Sequence, residues 1–406
     1  MKHSWKWVLA VGLVAGLIAP PGWVSARPVV AGQIVVTTTL DAVKGYDGVC
    51  SLREAVINAN NNSASSSNPG ECAAGLDQYD VIYLPDKPVT LTIWGGGENY
   101  AETGDLDIRE GVSILGYGAT RSEVDGNGVD RVFDLVLPGA NLYLAWMRVS
   151  NGQVDQPGGA VAAGGGVTVG SSNFFHANSV EFVNNRATGY TNNWGGAVYV
   201  LDGTATAIIE NSTFLNNQSG SGGAIASSGV LTITNSTFSG NYAQIDGGGI
   251  ANTGQLWLRY STLAYNDPNA VQTGWGAATV MQASILAWST YLDCSTNPSG
   301  VLTGSYNVIS DASCNLPGVS GNRTSIDPRL GPLGLYGMDG ITRFFPLLRN
   351  SAAIEWVPNT AWRPTYDQRN VSRPQDGDGV PPAYPDVGAV EMQLGYYLQF
   401  LPVIRK

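Results

Sequence analysis

The sequence predicts an all-β protein: a single-stranded right-handed parallel β-helix with a short N-terminal capping helix and an irregular C-terminal cap. Three observations carry this. A glycine phrase recurs through the middle of the chain, as Gly158-Gly159-Ala160-Val161, Gly195-Gly196-Ala197-Val198, Gly222-Gly223-Ala224-Ile225, Gly247-Gly248-Gly249-Ile250 and, in weaker form, Gly274-Trp275-Gly276-Ala277. A second phrase alternates with it, an aromatic residue or Leu followed three positions later by Asn: Phe182 with Asn185, Phe214 with Asn217, Phe238 with Asn241, and Leu263 with Asn266. Only seven charged residues fall between positions 160 and 290, and Gly and Asn interrupt every run a helix would need.

The leaders of the second phrase are 32, 24 and 25 residues apart, the mark of an array whose units bury each other's apolar faces. Ahead of three leaders run β-patterned segments, Ile208 to Phe214, Leu231 to Phe238 and Leu256 to Leu263. In a stacked coil every turn repeats, so Gly recurs where the backbone needs positive φ. Asn amides can then hydrogen-bond up and down a ladder, while Phe182, Phe214, Phe238 and Leu263 form an apolar column. Asn211-Ser212-Thr213 and Asn235-Ser236-Thr237 also fit the glycosylation pattern, but their regular placement favours ladder positions.

Composition narrows the class. The 406 residues are 43% hydrophobic and 13% charged, with 52 Gly, 30 Asn, 11 Trp and 18 Tyr and a net charge of -11. Disordered chains are charge-rich and aromatic-poor, and nucleic-acid readers carry a basic face, so both are excluded.

The chain divides into four parts. Residues 1–26 carry Lys2 and Lys6, an apolar run from Val8 to Ala19, and Val24-Ser25-Ala26, which read as a secretory signal; the alternative is a membrane anchor. Its loss would leave 19 basic against 32 acidic side chains. Residues 27–79 form an N-terminal cap, 80–290 the coils, roughly nine by the usual repeat length, and 291–406 a C-terminal cap and surface-association region. In the N-terminal cap, Ser51 and Glu54 make a capping box, and Leu52, Ala55, Val56 and Ala59 line one helical face. Such a helix would cover an open coil and its unpaired edge. Four cysteines in an exported chain suggest disulfides, Cys50 with Cys72 and Cys294 with Cys314 being favoured by their separations of 22 and 20.

Several of these segments carry a family resemblance. Cys50-Ser51-Leu52-Arg53-Glu54-Ala55 resembles the opening motif of CSLREA-domain secreted bacterial proteins, and so do Gly104-Asp105-Leu106-Asp107-Ile108, Ile114 to Ala119, Asp125 to Gly128 and Asp130-Arg131-Val132-Phe133. The Gly-Gly-Ala-Ile and Phe-x-x-Asn phrases resemble the repeats of polymorphic outer-membrane proteins, surface β-helices linked to adhesion. The tail, Asp367-Gln368-Arg369 through Arg373 to Gly379 and Asp386 to Glu391, is similar to the choice-of-anchor Q surface domain. The resemblance implies a pectin-lyase-like fold, export and display at the cell surface, and no particular reaction.

Catalytic machinery is sparse. His3 and His176 are the only histidines, and no Gly-His-Gly or Asp-His phrase of pectin-degrading enzymes occurs. Glycoside hydrolysis needs paired carboxylates. Asp105 and Asp107, with Arg109 at the same strand parity, are the candidates, and a turn with a surface ion pair is the plainer reading. Asp376-Gly377-Asp378-Gly379, with Asp386, could converge on Ca2+, although Asp-Gly turns need no ion. Trp194, Tyr242, Trp257 and Trp275 could stack on sugar rings or belong to the core.

The expectation is therefore a non-catalytic, exported cell-surface β-helix, adhesin-like or envelope-structural. Its partner would be an extracellular or cell-surface glycan or protein ligand. No nucleic-acid partner and no transmembrane span are expected, and the chain should be a monomer. The alternative is a polysaccharide lyase or glycoside hydrolase on the same fold.

Overall fold

The structure, a computed structural model, describes residues 32–64, 66–76, 79–154, 165–188, 193–316, 321–336, 342–359 and 363–393. Residues 1–26, read from the sequence as a secretory signal, and the phrase Gly158 to Val161 lie outside the described residues.

The chain is a parallel β-helix whose strands assemble into one 17-stranded, one eight-stranded and one four-stranded sheet. A single register runs through the largest sheet. Gln33 pairs with Val81, Val81 with Ser113, Ser113 with Tyr143 and Tyr143 with His176; the line continues through Ile208, Thr232, Trp257 and Val280 to Thr303. The coils thus reach past the expected 80–290 in both directions.

One coil shows how the local sequence makes the path. Thr206–Glu210 runs along the largest sheet, Asn211 turns the corner at φ 52, and Thr213–Leu215 follows. Asn216 turns again at φ 54, Gln218–Ser221 enters the four-stranded sheet, Gly222 turns at φ 69, and Ile225–Ser227 joins the eight-stranded sheet. The segments read from sequence as single strands are therefore pairs of strands broken at a left-handed residue, which Asn tolerates better than most non-glycine residues. The two glycines of the repeated phrase do different work. Gly222 supplies the positive φ, while Gly223 leaves room, since a Cβ there would lie 2.3 Å from the Gly248 carbonyl oxygen.

The interior is a continuous apolar column. Phe182, Phe214 and Phe238 are fully buried and stack with ring centroids 4.7 and 4.5 Å apart, and Leu263 takes the next rung. Asn185, Asn217, Asn241 and Asn266 lie beside them, also fully buried. The Asn217 amide accepts from Asn185 Nδ2 at 3.1 Å and donates to Asn241 Oδ1 at 2.9 Å and to the Phe182 carbonyl at 3.0 Å. A second ladder, of hydroxyls, runs parallel to it. The backbone N–H groups of Ser212, Ser236 and Ser261 donate to the hydroxyls of Ser236, Ser261 and Ser284 at 3.2, 3.1 and 3.3 Å. Each link satisfies a buried backbone donor that a corner would otherwise orphan.

Both ends are tied down. Cys50–Cys72 and Cys294–Cys314 are disulfides. Helix α1, Leu52–Asn61, has both halves of its capping box and packs against Leu106–Ile108, the terminal strand of the eight-stranded sheet. Its Asn60 side chain donates to the Asp107 carbonyl at 2.7 Å and accepts from Arg109 N–H at 2.9 Å, standing in for the missing strand neighbour. The C-terminal segment lies along the flank of the coils. Arg343 binds Glu181 at 2.6 Å, Thr237 Oγ1 donates to Gln368 at 2.6 Å, and the Ala389 and Gly388 N–H groups reach Thr262 Oγ1 and the Ala283 carbonyl at 3.1 and 2.8 Å. Among the described residues no helix is long and apolar enough to cross a membrane.

Candidate functional site

Two carboxylate groups are the chemically distinctive places among the described residues. The first forms where α1 meets the first strands of the eight-stranded sheet. Arg53, fully buried, pairs with Asp41 at 2.6 Å and donates to the carbonyls of Gly104, Asp105 and Ala101 at 2.8, 3.1 and 3.0 Å. It thereby sets the loop that enters Leu106–Ile108. Leu106 and Ile108 face the core, so alternation turns Asp107 outward, and in the next rung Asp134 takes the equivalent place between Phe133 and Leu135.

One oxygen from each of Asp105, Asp107 and Asp134 lies within 4.8 Å of the other two. Arg131 is held among them, its Nε 2.9 Å from Asp105 Oδ2, its Nη1 2.9 Å from Asp134 Oδ2, and Asp130 at 3.8 Å. Burial, reinforced by the neighbouring acids, pushes Asp105 well above the usual carboxylate range and raises Asp107 to about 7, although the Ala101 N–H bond to Asp107 at 2.8 Å works against the latter shift. Burial likewise raises Asp134 and Asp130, Arg131 opposing in both. Arg109 is not in this group. It stacks on the Tyr100 ring at 4.5 Å, and Arg131 occupies the place the sequence reading assigned to it. The missed residues carry a visible signal, because Leu106-Asp107-Ile108 and Phe133-Asp134-Leu135 repeat one apolar-Asp-apolar pattern in paired strands.

The second group is in the tail. Glu355, Asp376 and Asp378 bring one carboxylate oxygen each within 4.8 Å of the others. The Gly377 N–H donates to Glu355 Oε1 at 2.8 Å, which draws the Asp-Gly loop over that side chain. Asp386, expected beside Asp376 and Asp378, is instead fully buried, with Oδ1 accepting from Glu355 N–H at 2.7 Å and Oδ2 from Met392 N–H. Burial raises its pKa well above normal, with Glu391 adding to the shift. Glu391 pairs with Arg373 at 2.5 Å, both side chains fully buried, and also accepts from the Asp386 and Gln375 N–H groups at 2.9 Å. These residues fasten the tail.

The remaining candidates are dispersed. His176 bonds Glu210 at 2.9 Å on the outer face of the largest sheet, with Tyr143 against its ring. Trp275 is 67% exposed and Tyr242 39%, while Trp194 and Trp257 are half-buried. Asn235 is buried beneath the tail, its amide donating to the Tyr366 carbonyl at 2.8 Å, which leaves no room for a glycan there.

Residues 211–228 match the repeat of the Chlamydia polymorphic membrane protein. That stretch opens on the left-handed Asn211 and holds Phe214, Asn217 and the Gly222-Gly223 turn. No curated protein and no solved structure matches the chain.

Proposed function

We propose that this chain is an exported, non-catalytic β-helix displayed at the cell surface, where it serves adhesion or envelope structure by binding an extracellular glycan or protein as a monomer. The match of residues 211–228 to a surface-protein repeat carries the reading. It is supported by the resemblance of the opening motif and tail to secreted surface proteins, and by the side chains those motifs contribute. Arg53, Asp386 and Glu391 spend their polar atoms on the chain itself. Calcium is expected at Glu355, Asp376 and Asp378, where hard oxygen ligands converge.

The test is binding and turnover by the disulfide-intact protein on pectins, alginates and host-type glycans, with calcium and then with chelator. Saturable binding without product supports the proposal. A second reading, a polysaccharide hydrolase or lyase, is favoured by one observation: the carboxylates of Asp105, Asp107 and Asp134 converge within 4.8 Å, and glycoside hydrolysis uses paired acids. Turnover abolished by Asp105→Asn and Asp107→Asn would replace the first reading with the second.

A further inference from the structure

When ionised, the carboxylates beneath α1 carry more negative charge than Arg131 alone can match. Asp107 and Asp134 are direct partners in adjacent parallel strands and project to the same side, so two acids stack at inter-strand spacing, about 4.8 Å, where like charges repel. Asp105 joins them. Arg131 answers Asp105 and Asp134. Among the described residues no ion pair reaches Asp107. It is 1% exposed, its Oδ2 accepts one N–H, from Ala101, and its Oδ1 is buried without a hydrogen-bond partner. An unpartnered carboxylate oxygen in such a place is costly unless something unseen meets it.

We infer that Asp105, Asp107 and Asp134 form a binding site for a hard divalent cation of the calcium type, separate from the acidic group in the tail. The donors are all carboxylate oxygens, with no imidazole or thiolate that would select a transition metal. Calcium accepts irregular shells of six to eight oxygens, and the partly exposed side of Asp134 leaves room for water to complete one. Magnesium demands a regular octahedron and keeps several waters, which suits a site of three clustered carboxylates less well. The ion would join the strand Leu106–Ile108 to Phe133–Leu135 and, through Ala101 and Arg53, brace α1.

The experiment uses the full, disulfide-intact chain, stripped with chelator and titrated calorimetrically with CaCl2. Three proteins are compared: the parent, Asp107→Asn, and the double variant Glu355→Gln/Asp376→Asn, which removes acids from the tail group. The double variant should still bind one calcium and melt higher with it. Asp107→Asn should weaken that binding by about tenfold or more, because ligand charge sets affinity. Its calcium-free melting temperature should equal or exceed the parent's, since Asn keeps an acceptor for Ala101 and sheds the repelled charge. Absence of calcium binding in the double variant, or unchanged affinity in Asp107→Asn, overturns the assignment. Should Asp107→Asn fail to fold, the stoichiometry of the double variant decides alone: one ion sustains the site and none removes it.

Discussion

The middle coils and the two ends of this chain solve the same problem with different chemistry. From Thr206 to Ala287 successive coils are joined by neutral groups used again at each rung, the Asn217, Asn241 and Asn266 amides and the Ser236, Ser261 and Ser284 hydroxyls. At the ends the joints are buried charges used once. Arg53 gathers three carbonyls under α1, and Arg373 gathers those of Asp386 and Gly388 while pairing with Glu391. Repetition explains the difference. Inside an array each donor meets an identical acceptor one rung away, whereas outside it the carbonyls point in unrelated directions. A guanidinium, with five donors in a rigid fork, can meet several of them together.

The largest effect that could break this contrast is at Arg373. Arg373→Ala leaves Glu391 buried without its counter-charge and should cost about 3–5 kcal/mol. Chemical denaturation would measure the loss, and a cost no greater than that of one ladder amide would end the distinction. The double change Arg373→Met/Glu391→Leu sharpens it, because removing both charges should recover much of the loss. Next comes the staple on α1. Cys50→Ser/Cys72→Ser opens a loop of 22 residues and should lower stability by about 3 kcal/mol, read from the melting temperature of the double variant.

Within the coils, Asn217→Ala should cost about 1–3 kcal/mol by orphaning the buried Asn185 N–H and Phe182 carbonyl. Asn241→Ala breaks the same set of bonds one rung on, so the two losses should agree in urea titrations; a large disparity would show that the rungs are not equivalent. The smallest effect concerns pH. Burial, aided by Glu110, raises Asp80 to about 6 against an unfolded value of 3.8. The folded chain therefore holds the extra proton, and stability contributed by the neutral acid is complete below about 4 and lost as pH rises through 6. Asp80→Asn should stabilise the protein at pH 7, and paired melting curves should converge at pH 4.

The repetitive part was the legible part. Phe214 and Asn217 announce themselves because the same two residues return in the next coil, and a column or ladder follows from stacking alone. The serine ladder was equally periodic in Ser212, Ser236, Ser261 and Ser284, but Ser212 and Ser236 follow asparagines and read as glycosylation signals, while Ser261 and Ser284 follow Tyr260 and Ala283 and hide the repeat. The corners at Asn211 and Asn235 hid inside β-patterned runs, since one left-handed residue leaves the alternation around it intact. The carboxylate group was half legible. Asp105 and Asp107 share a motif, whereas Asp134 and Arg131 reach them only when strands far apart in sequence become neighbours. Arg109 had the expected strand parity, yet the chain leaves the strand at Ile108 and its side chain turns to Tyr100. Asp386 sits close to Asp378 in sequence and faces inward because its oxygens meet the N–H groups of Glu355 and Met392.

The lateral seating of the tail has a mechanical consequence. Its contacts run from Thr213 through Thr237 and Thr262 to Ala283, one coil after another, so the segment is a strap sewn across the stack. Tension applied through residues 363–393 would load these stitches together in shear if directed along the strap, and one at a time if directed away from the flank. The first geometry resists and the second unzips. A surface protein fastened through this segment would hold a bound object firmly against drag in one direction and yield by peeling in another.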